Sequence, residues 1–299
     1  MHLAFNIFCM ESFIVMIKID NLVKEFSIKD ENKKTVKKRA VDKLSLNVQD
    51  GEIFGLLGPN GAGKTTTIRM LTMEMKPTAG SIEYQGKPIE KNSIAIKQMI
   101  GVVPQNINFD NDLTVGENME LHARLHHISG DTMKKRIAES LDFVELSHTI
   151  NLMPRTLSGG MKRRLLIARA LIHSPKILFM DEPTVALDPQ VRRRIWDLIR
   201  QLSARGTTVV LTTHYIEEAE ALCHRVAIMD KGSLIAIDTP EAFCNRMGRF
   251  TVEWDSNGSR LYKFFDTRRE AADFAGELDH GVRIRKTNLE DAFIELTLR

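Results

Sequence analysis

Little in this sequence invites covalent or redox chemistry. Only three cysteines occur in 299 residues, Cys9, Cys223 and Cys244. They are odd in number, scattered and without C-x-x-C spacing, so they read as reduced cytosolic thiols and not as a disulfide framework. Long hydrophobic runs are missing too. No stretch of about eighteen apolar residues exists, which excludes a transmembrane helix. Charge of one sign is also missing: 42 Lys and Arg face 39 Asp and Glu, a net charge of +3. That balance gives no ground for a nucleic-acid partner, and none is expected. Internal repeats and low-complexity tracts are absent. What remains is 43% hydrophobic and 27% charged, the balance of a packed core.

The first residues, "MHLAFNIFCMESFIVMIKIDNL", are apolar but lack a basic leading region, and Glu11 interrupts them. A signal peptide is therefore not expected. Met10 and Met16 precede a clear strand pattern, so residues 1–15 read as a non-native or upstream-start extension. A short membrane-surface segment is the sharper alternative.

"IKIDNLVKEF" and "AVDKLSLNVQ" alternate apolar and polar residues and predict strands, with the lysine-rich "KDENKKTVKKR" between them as a solvated loop. Helical apolar spacing fills about 106–165, which predicts an inserted helical subdomain. Strands then alternate with helices from "KILFMD" to "RVAIMDKGSLIAID", the pattern of a mostly parallel sheet covered by helices. A small ββαβα appendage follows Pro240. Its two helices are expected to open on capping boxes, Thr267 with Glu270 and Thr287 with Glu290.

"GPNGAGKT" fits G-x-x-x-x-G-K-[ST] between a buried strand and a helix, the context this phosphate loop requires. In the loop Gly58, Pro59, Asn60, Gly61, Ala62 and Gly63, the glycines let backbone N–H groups turn inward and cradle phosphate oxygens. Lys64 reaches the β/γ-phosphates, Thr65 offers a hydroxyl to Mg²⁺, and Thr66 opens a helix with a positive N-terminal dipole. "KILFMDEP" carries two acids to the C-terminal end of a core strand, where open α/β sheets bind ligands. There Asp181 enters the Mg²⁺ shell and Glu182 polarises a water for attack on the γ-phosphate.

Other positions are bland taken singly. Gln105 reads as a loop amide, His214 as a structural hydrogen-bonder and Asp188 as an N-cap before Pro189. Ser158 also sits at an N-cap position. Behind it Gly159, Gly160 and a basic helix make a second anion-seeking helix end in one domain. His122 and His126 form an i, i+4 pair beside His127. Ala123 stands where H-E-x-x-H needs glutamate, so the cluster reads as structural. The methionines read as core fillers.

Taken in order, the phosphate loop, Gln105, "LSGGM", "FMDEP", "ALDP" and His214 resemble the nucleotide-binding subunit of ATP-binding cassette (ABC) transporters from about Met16 to Pro240. "LSGG" just upstream of an Asp-Glu strand end is specific to that family. The resemblance implies an α/β fold: a P-loop NTPase core with a mostly parallel sheet, an N-terminal antiparallel β subdomain, the helical subdomain and a C-terminal α+β appendage. It divides the chain into an ATPase domain, 16–240, and an accessory domain, 241–299. It makes Gln105 the Q-loop that touches Mg²⁺ and faces a membrane partner. Ser158, Gly159 and Gly160 become the signature loop, Asp188 the D-loop, His214 the switch histidine and Phe26 the aromatic on adenine. The cofactors implied are ATP and Mg²⁺. The partners implied are a transmembrane permease subunit and a second cassette, in a homodimer or a heterodimer with another ABC ATPase. The place implied is the cytoplasmic face of the cell membrane.

Two residues depart from the pattern, Met161 where glutamine is usual and Ala186 where glycine is common. The closing "NLEDAFIELT" resembles ATPase subunits of ABC-2 type exporters. Two other readings belong to different classes: a soluble ABC ATPase acting on nucleic acid or ribosomes, and a regulatory ATP sensor. Chromosome-maintenance relatives place a long coiled coil before "LSGG", and translation-factor relatives carry two cassettes. This chain has neither. Intact Glu182 and His214 argue for turnover over sensing.

Overall fold

Five short apolar segments lie side by side as the centre of the molecule, seen in a computed structural model that describes residues 15–29, 35–256, 259–278 and 281–297. Residues 1–14 of the expected N-terminal extension lie outside the described residues. In chain order the elements begin with β1 (Val15–Lys29), β2 (Thr35–Gln49), β3 (Ile53–Leu57), α1 (Lys64–Leu71), β4 (Ala79–Tyr84), β5 (Lys87–Pro88), α2 (Ile89–Met99) and β6 (Ile100–Val103). Then come α3 (Val115–Leu125), α4 (Gly130–Phe143), α5 (Gly159–Leu171), β7 (Ile177–Asp181), α6 (Pro189–Ala204), β8 (Thr208–Thr213) and α7 (Ile216–Leu222). The chain closes with β9 (Arg225–Asp230), β10 (Ser233–Asp238), α8 (Pro240–Met247), β11 (Phe250–Ser256), β12 (Ser259–Phe265), α9 (Arg268–Gly276), β13 (Arg283–Lys286) and α10 (Leu289–Thr297).

The main sheet runs β10-β9-β3-β8-β7-β6, parallel except at β10. β3, β7 and β8 are buried at every position, as parallel strands covered on both faces must be. Alternation decides which face each residue serves. Leu178, Met180, Val209 and Leu211 join one core with α3, α4, α5 and α6. Ile177, Phe179 and Val210 join the other, against the four-stranded antiparallel sheet β2-β1-β4-β5. The helical insertion is thus continuous with the core of the sheet. Buried Met16, Met70, Met119 and Met180 fill these cores as expected.

Three local expectations are corrected. The lysine-rich stretch 29–39 is partly ladder, with Lys29 opposite Thr35 and Ile28 opposite Val36. Its strand positions are exposed on both faces, so no alternation marks them. The appendage contains the expected ββαβα order, β11 to α10, and α8 precedes it, capped by Thr239 with Pro240 in its first turn. Its three strands pair β12-β11-β13. Thr267 and Glu270 form their capping box. Thr287 and Glu290 do not. Asn288 and Asp291 bond reciprocally one residue later, at 3.0 and 3.1 Å. Asp291 also takes a bidentate pair from Arg285, both contacts at 2.6 Å, which fixes the register.

Candidate functional site

Four neighbouring parallel strands end on one edge, and each delivers part of a site. β3 runs into the loop at 58–65, β8 into His214, β7 into Asp181 and Glu182, and β6 into Pro104 and Gln105. The ladder fixes these ends against each other: Leu57 pairs with Thr213, Thr212 with Asp181, and Met180 with Val103.

Residues 60–66 line a cleft of about 680 Å³ together with Phe26, Gln105 and Glu182. Gly63 caps α1 with φ +97°, and a Cβ there would fall 2.4 Å from the Ala40 carbonyl oxygen. Only glycine fits. Gly58 and Pro59 turn their carbonyls onto Lys64, whose Nζ donates to them at 2.7 and 3.0 Å. Burial lowers the Lys64 pKa, and the charges of Glu182 and Asp181 oppose the shift. The ammonium therefore stays under the loop, one movement away from an anion in the cleft.

Asp181 is buried at the end of β7, and its Oδ1 accepts from Thr65 Oγ1 at 3.1 Å and from Thr212 Oγ1. With the amide oxygen of Gln105 these are hard oxygen donors, the set a magnesium ion takes beside phosphates. Glu182 follows with φ +46°, a conformation that costs about 1–3 kcal/mol in a non-glycine residue. Two bonds hold it there, from its N–H to Thr212 Oγ1 at 3.0 Å and to the Thr212 carbonyl at 3.2 Å. The turn aims the carboxylate across the cleft. Gln105 Nε2 donates to Oε2 at 3.1 Å and His214 Nδ1 donates to Oε1 at 3.0 Å. So Lys64, Thr65, Gln105, Asp181, Glu182 and His214 converge, and the group can bind a polyphosphate and orient a water.

Ser158, Gly159, Gly160 and Asp188 do not line this cleft. Ser158 caps α5, accepting from Met161 N at 3.3 Å, and it is exposed, as is Gly159. Met161 thus supplies the same backbone donor that glutamine would. A Cβ on Gly159 would meet nothing within 4 Å, so no packing in this chain requires glycine there. Gly160 differs: a Cβ there would fall 2.6 Å from Val191 Cγ1 on α6. The α5 N-terminus has no acidic residue in its first turn, so its positive end is uncompensated. Asp188 caps α6, accepting from Gln190 N and Val191 N at 3.1 and 3.0 Å, with Pro189 behind it. Ala186 has φ +58°, which accounts for the glycine usual at that place.

Two residues of the site escape sequence reading. Arg163 on α5 is buried and donates to the carbonyls of Pro104 and Gln105 at 2.8 and 2.9 Å, tying α5 to the Gln105 loop. In sequence it is one basic residue among several. Thr212 holds both acids in place. Its only signal is a hydroxyl one strand away from an Asp-Glu end. The histidine group also has a different third member. His127 is exposed and takes no part, while His122 and His126 meet His173, which follows α5.

Comparison with known proteins agrees with this geometry. The family profile described as "ABC transporter" matches residues 41–185. The chain is 40% identical over 283 residues to Nod factor export ATP-binding protein I of Burkholderia pseudomallei (strain 1710b), covering 88% of this chain and 93% of that protein. An ATP-binding cassette solved as a dimer in a post-hydrolysis state, bound to ADP and Pi, superposes with a TM-score of 0.67 at 31% identity. That match covers 75% of this chain and 98% of the other. The ATP-binding subunit of an ABC transporter shares the fold over 94% of this chain and 99% of its own, with a TM-score of 0.70 at 22% identity. The chain therefore belongs to the ABC transporter family as an ATP-hydrolysing, nucleotide-binding subunit.

Proposed function

We propose that this chain powers export through a separate transmembrane permease subunit, by closing on a second cassette with ATP between them. One observation carries the reading. The cleft holds a complete set of groups for phosphate and water, while a second anion-seeking helix end, at Ser158, is exposed and does not line it.

In this scheme the phosphates lie on the N–H groups of residues 60–66 and the N-terminus of α1, and Lys64 exchanges its loop carbonyls for β/γ-oxygens. Phe26 stacks on the adenine. Thr65, Asp181 and Gln105 hold Mg²⁺, which neutralises charge on the phosphates. Glu182 accepts the proton of the attacking water as its oxygen bonds to the γ-phosphorus and the bond to the bridging oxygen of ADP breaks. His214 and Gln105 hold that carboxylate on the line of attack. Ser158, Gly159 and Gly160 complete the γ-phosphate cage of the other copy, a homodimer partner or a second ABC ATPase, with Asp188 at the junction. Exposed Gly159 leaves the room such a neighbour needs.

The permease seats against the helical subdomain. α3 leaves Leu121 and Leu125 exposed one turn apart, and Ile107 beside Gln105 is exposed as well. No helix among the described residues is long and apolar enough to cross a membrane. The chain then works at the cytoplasmic face of the membrane, held through that partner. The relatives' names supply the direction, export. Residues 16–240 form the motor and 241–299 an accessory unit. Purification from membranes tests the reading. A polytopic membrane protein should co-purify and stimulate ATP turnover, and Lys64→Ala should lose nucleotide binding. A chain that turns over ATP but is released from membranes alone contradicts it.

A further inference from the structure

His122 and His126 lie one turn apart at the C-terminal end of α3, and His173 lies beyond α5. Folding brings one ring nitrogen of each within 4.8 Å of the others. The His122 and His126 rings meet edge-on at 5.0 Å, and those of His126 and His173 stack at 3.8 Å.

Ordinary core histidines find hydrogen-bond partners for both nitrogens when buried. His173 does not. Its Nε2 lies 2.9 Å from the Ile100 carbonyl oxygen, which can only accept, so Nε2 carries the proton. That leaves Nδ1 with its lone pair, and this atom is buried without a partner among the described residues. A ring whose far nitrogen is tied to a backbone carbonyl, with a free lone pair on the other nitrogen and two imidazoles beside it, has the arrangement of a metal-ligating histidine and its supporting carbonyl.

We propose that His122, His126 and His173 bind one borderline divalent transition-metal ion, zinc above all, with a fourth position open to solvent. The donor set makes the choice. Three imidazoles suit zinc, nickel or copper, whereas magnesium and calcium need oxygen ligands. No carboxylate joins the group among the described residues. Arg169 adds positive charge near His122 and Arg136 near His173, which works against any ion held by charge alone. The Arg169 guanidinium is engaged elsewhere, on the Asn108 carbonyl and over the Phe109 ring. Zn–N bonds of about 2.0–2.1 Å place ligand nitrogens about 3.4 Å apart in a tetrahedron. Turning the His126 ring about its Cβ–Cγ bond closes the remaining gap. The ion pins α3 to the corner where β6 starts, and β6 leads directly into Gln105.

Calorimetric titration of the full chain with ZnCl₂, without nucleotide or chelating buffer, tests this. Wild type should take one ion per chain at this site. His173→Ala and His126→Ala should each weaken that binding at least tenfold, and exposed His127→Ala should stay within twofold. Thermal unfolding gives a second readout. Zinc should raise the wild-type midpoint but not that of the His173 or His126 variant, since ligands stabilise only a folded state that binds them. Binding absent from wild type, or unchanged in both His173→Ala and His126→Ala, overturns the proposal. If His173→Ala fails to fold, His126→Ala alone decides between these outcomes.

Discussion

His214 Nδ1 stands 3.0 Å from Glu182 Oε1 and is the donor, because a carboxylate only accepts. Gln105 holds the other oxygen at 3.1 Å. The acid is thus fixed by side chains from two strand ends, β8 and β6, while its own backbone is held by Thr212.

Glu182→Gln keeps the side chain's shape and removes the proton acceptor. General-base catalysis contributes about 10²–10⁴-fold, so steady-state hydrolysis should fall by at least a hundredfold. ATP affinity should stay within threefold, because the phosphate loop is untouched. Turnover within about threefold of wild type would remove Glu182 from the role of base.

Ala186 is exposed with φ +58°. The left-handed conformation costs an alanine about 1–2 kcal/mol. Glycine removes that strain and adds some unfolded-state entropy, so Ala186→Gly should stabilise the protein by about 0.5–1 kcal/mol. Denaturant midpoints at constant slope measure it. Destabilisation would mean that the alanine methyl makes a contact the fold depends on.

Glu218, on α7, is fully buried. Its Oε1 accepts from Thr184 at 2.7 Å and Trp196 at 3.1 Å, and its Oε2 has no hydrogen-bond partner among the described residues. Burial raises its pKa above the usual 4.5, against the lowering effect of side-chain hydrogen bonds. A carboxyl raised on folding contributes stability below its unfolded pKa and loses it as pH rises through the folded value. Glu218→Gln cannot ionise. Its stability relative to wild type should therefore increase as pH climbs above 4.5, measured by urea unfolding across pH 4.5–8. A difference that is flat with pH would place the folded pKa at its ordinary value.

The sequence exposed those parts whose chemistry depends on local spacing. The loop at 58–65, the Asp181–Glu182 strand end and the caps at Ser158 and Asp188 are all set by residues within one turn. Residues that act across the fold were hidden. Arg163 looks like its basic neighbours Lys162 and Arg164 until its guanidinium is seen on the Gln105 loop. Thr212 is one of several strand threonines, and His173 lies two helices from its histidine partners. The shifted cap at Asn288 has a local cause. Thr287–Glu290 and Asn288–Asp291 offer the same chemistry one residue apart, and the Arg285–Asp291 pair decides between them.

Pairing through ATP is the centre of the account, and Ser158 is its most exposed point. A helix end recognises an anion only when the anion reaches it, and the cleft of this chain excludes Ser158 from its lining. Losing the Ser158 cap costs the fold only about 1 kcal/mol, so the change is tolerable. Light scattering on Glu182→Gln, with nucleotide affinity measured in parallel, is the direct measurement. The protein should be a dimer with ATP and Mg²⁺ and a monomer with ADP. Adding Ser158→Arg should leave it monomeric in ATP with its nucleotide affinity intact. A Ser158→Arg protein that still dimerises, or one that loses ATP as a monomer, would mean that the second helix end serves its own chain.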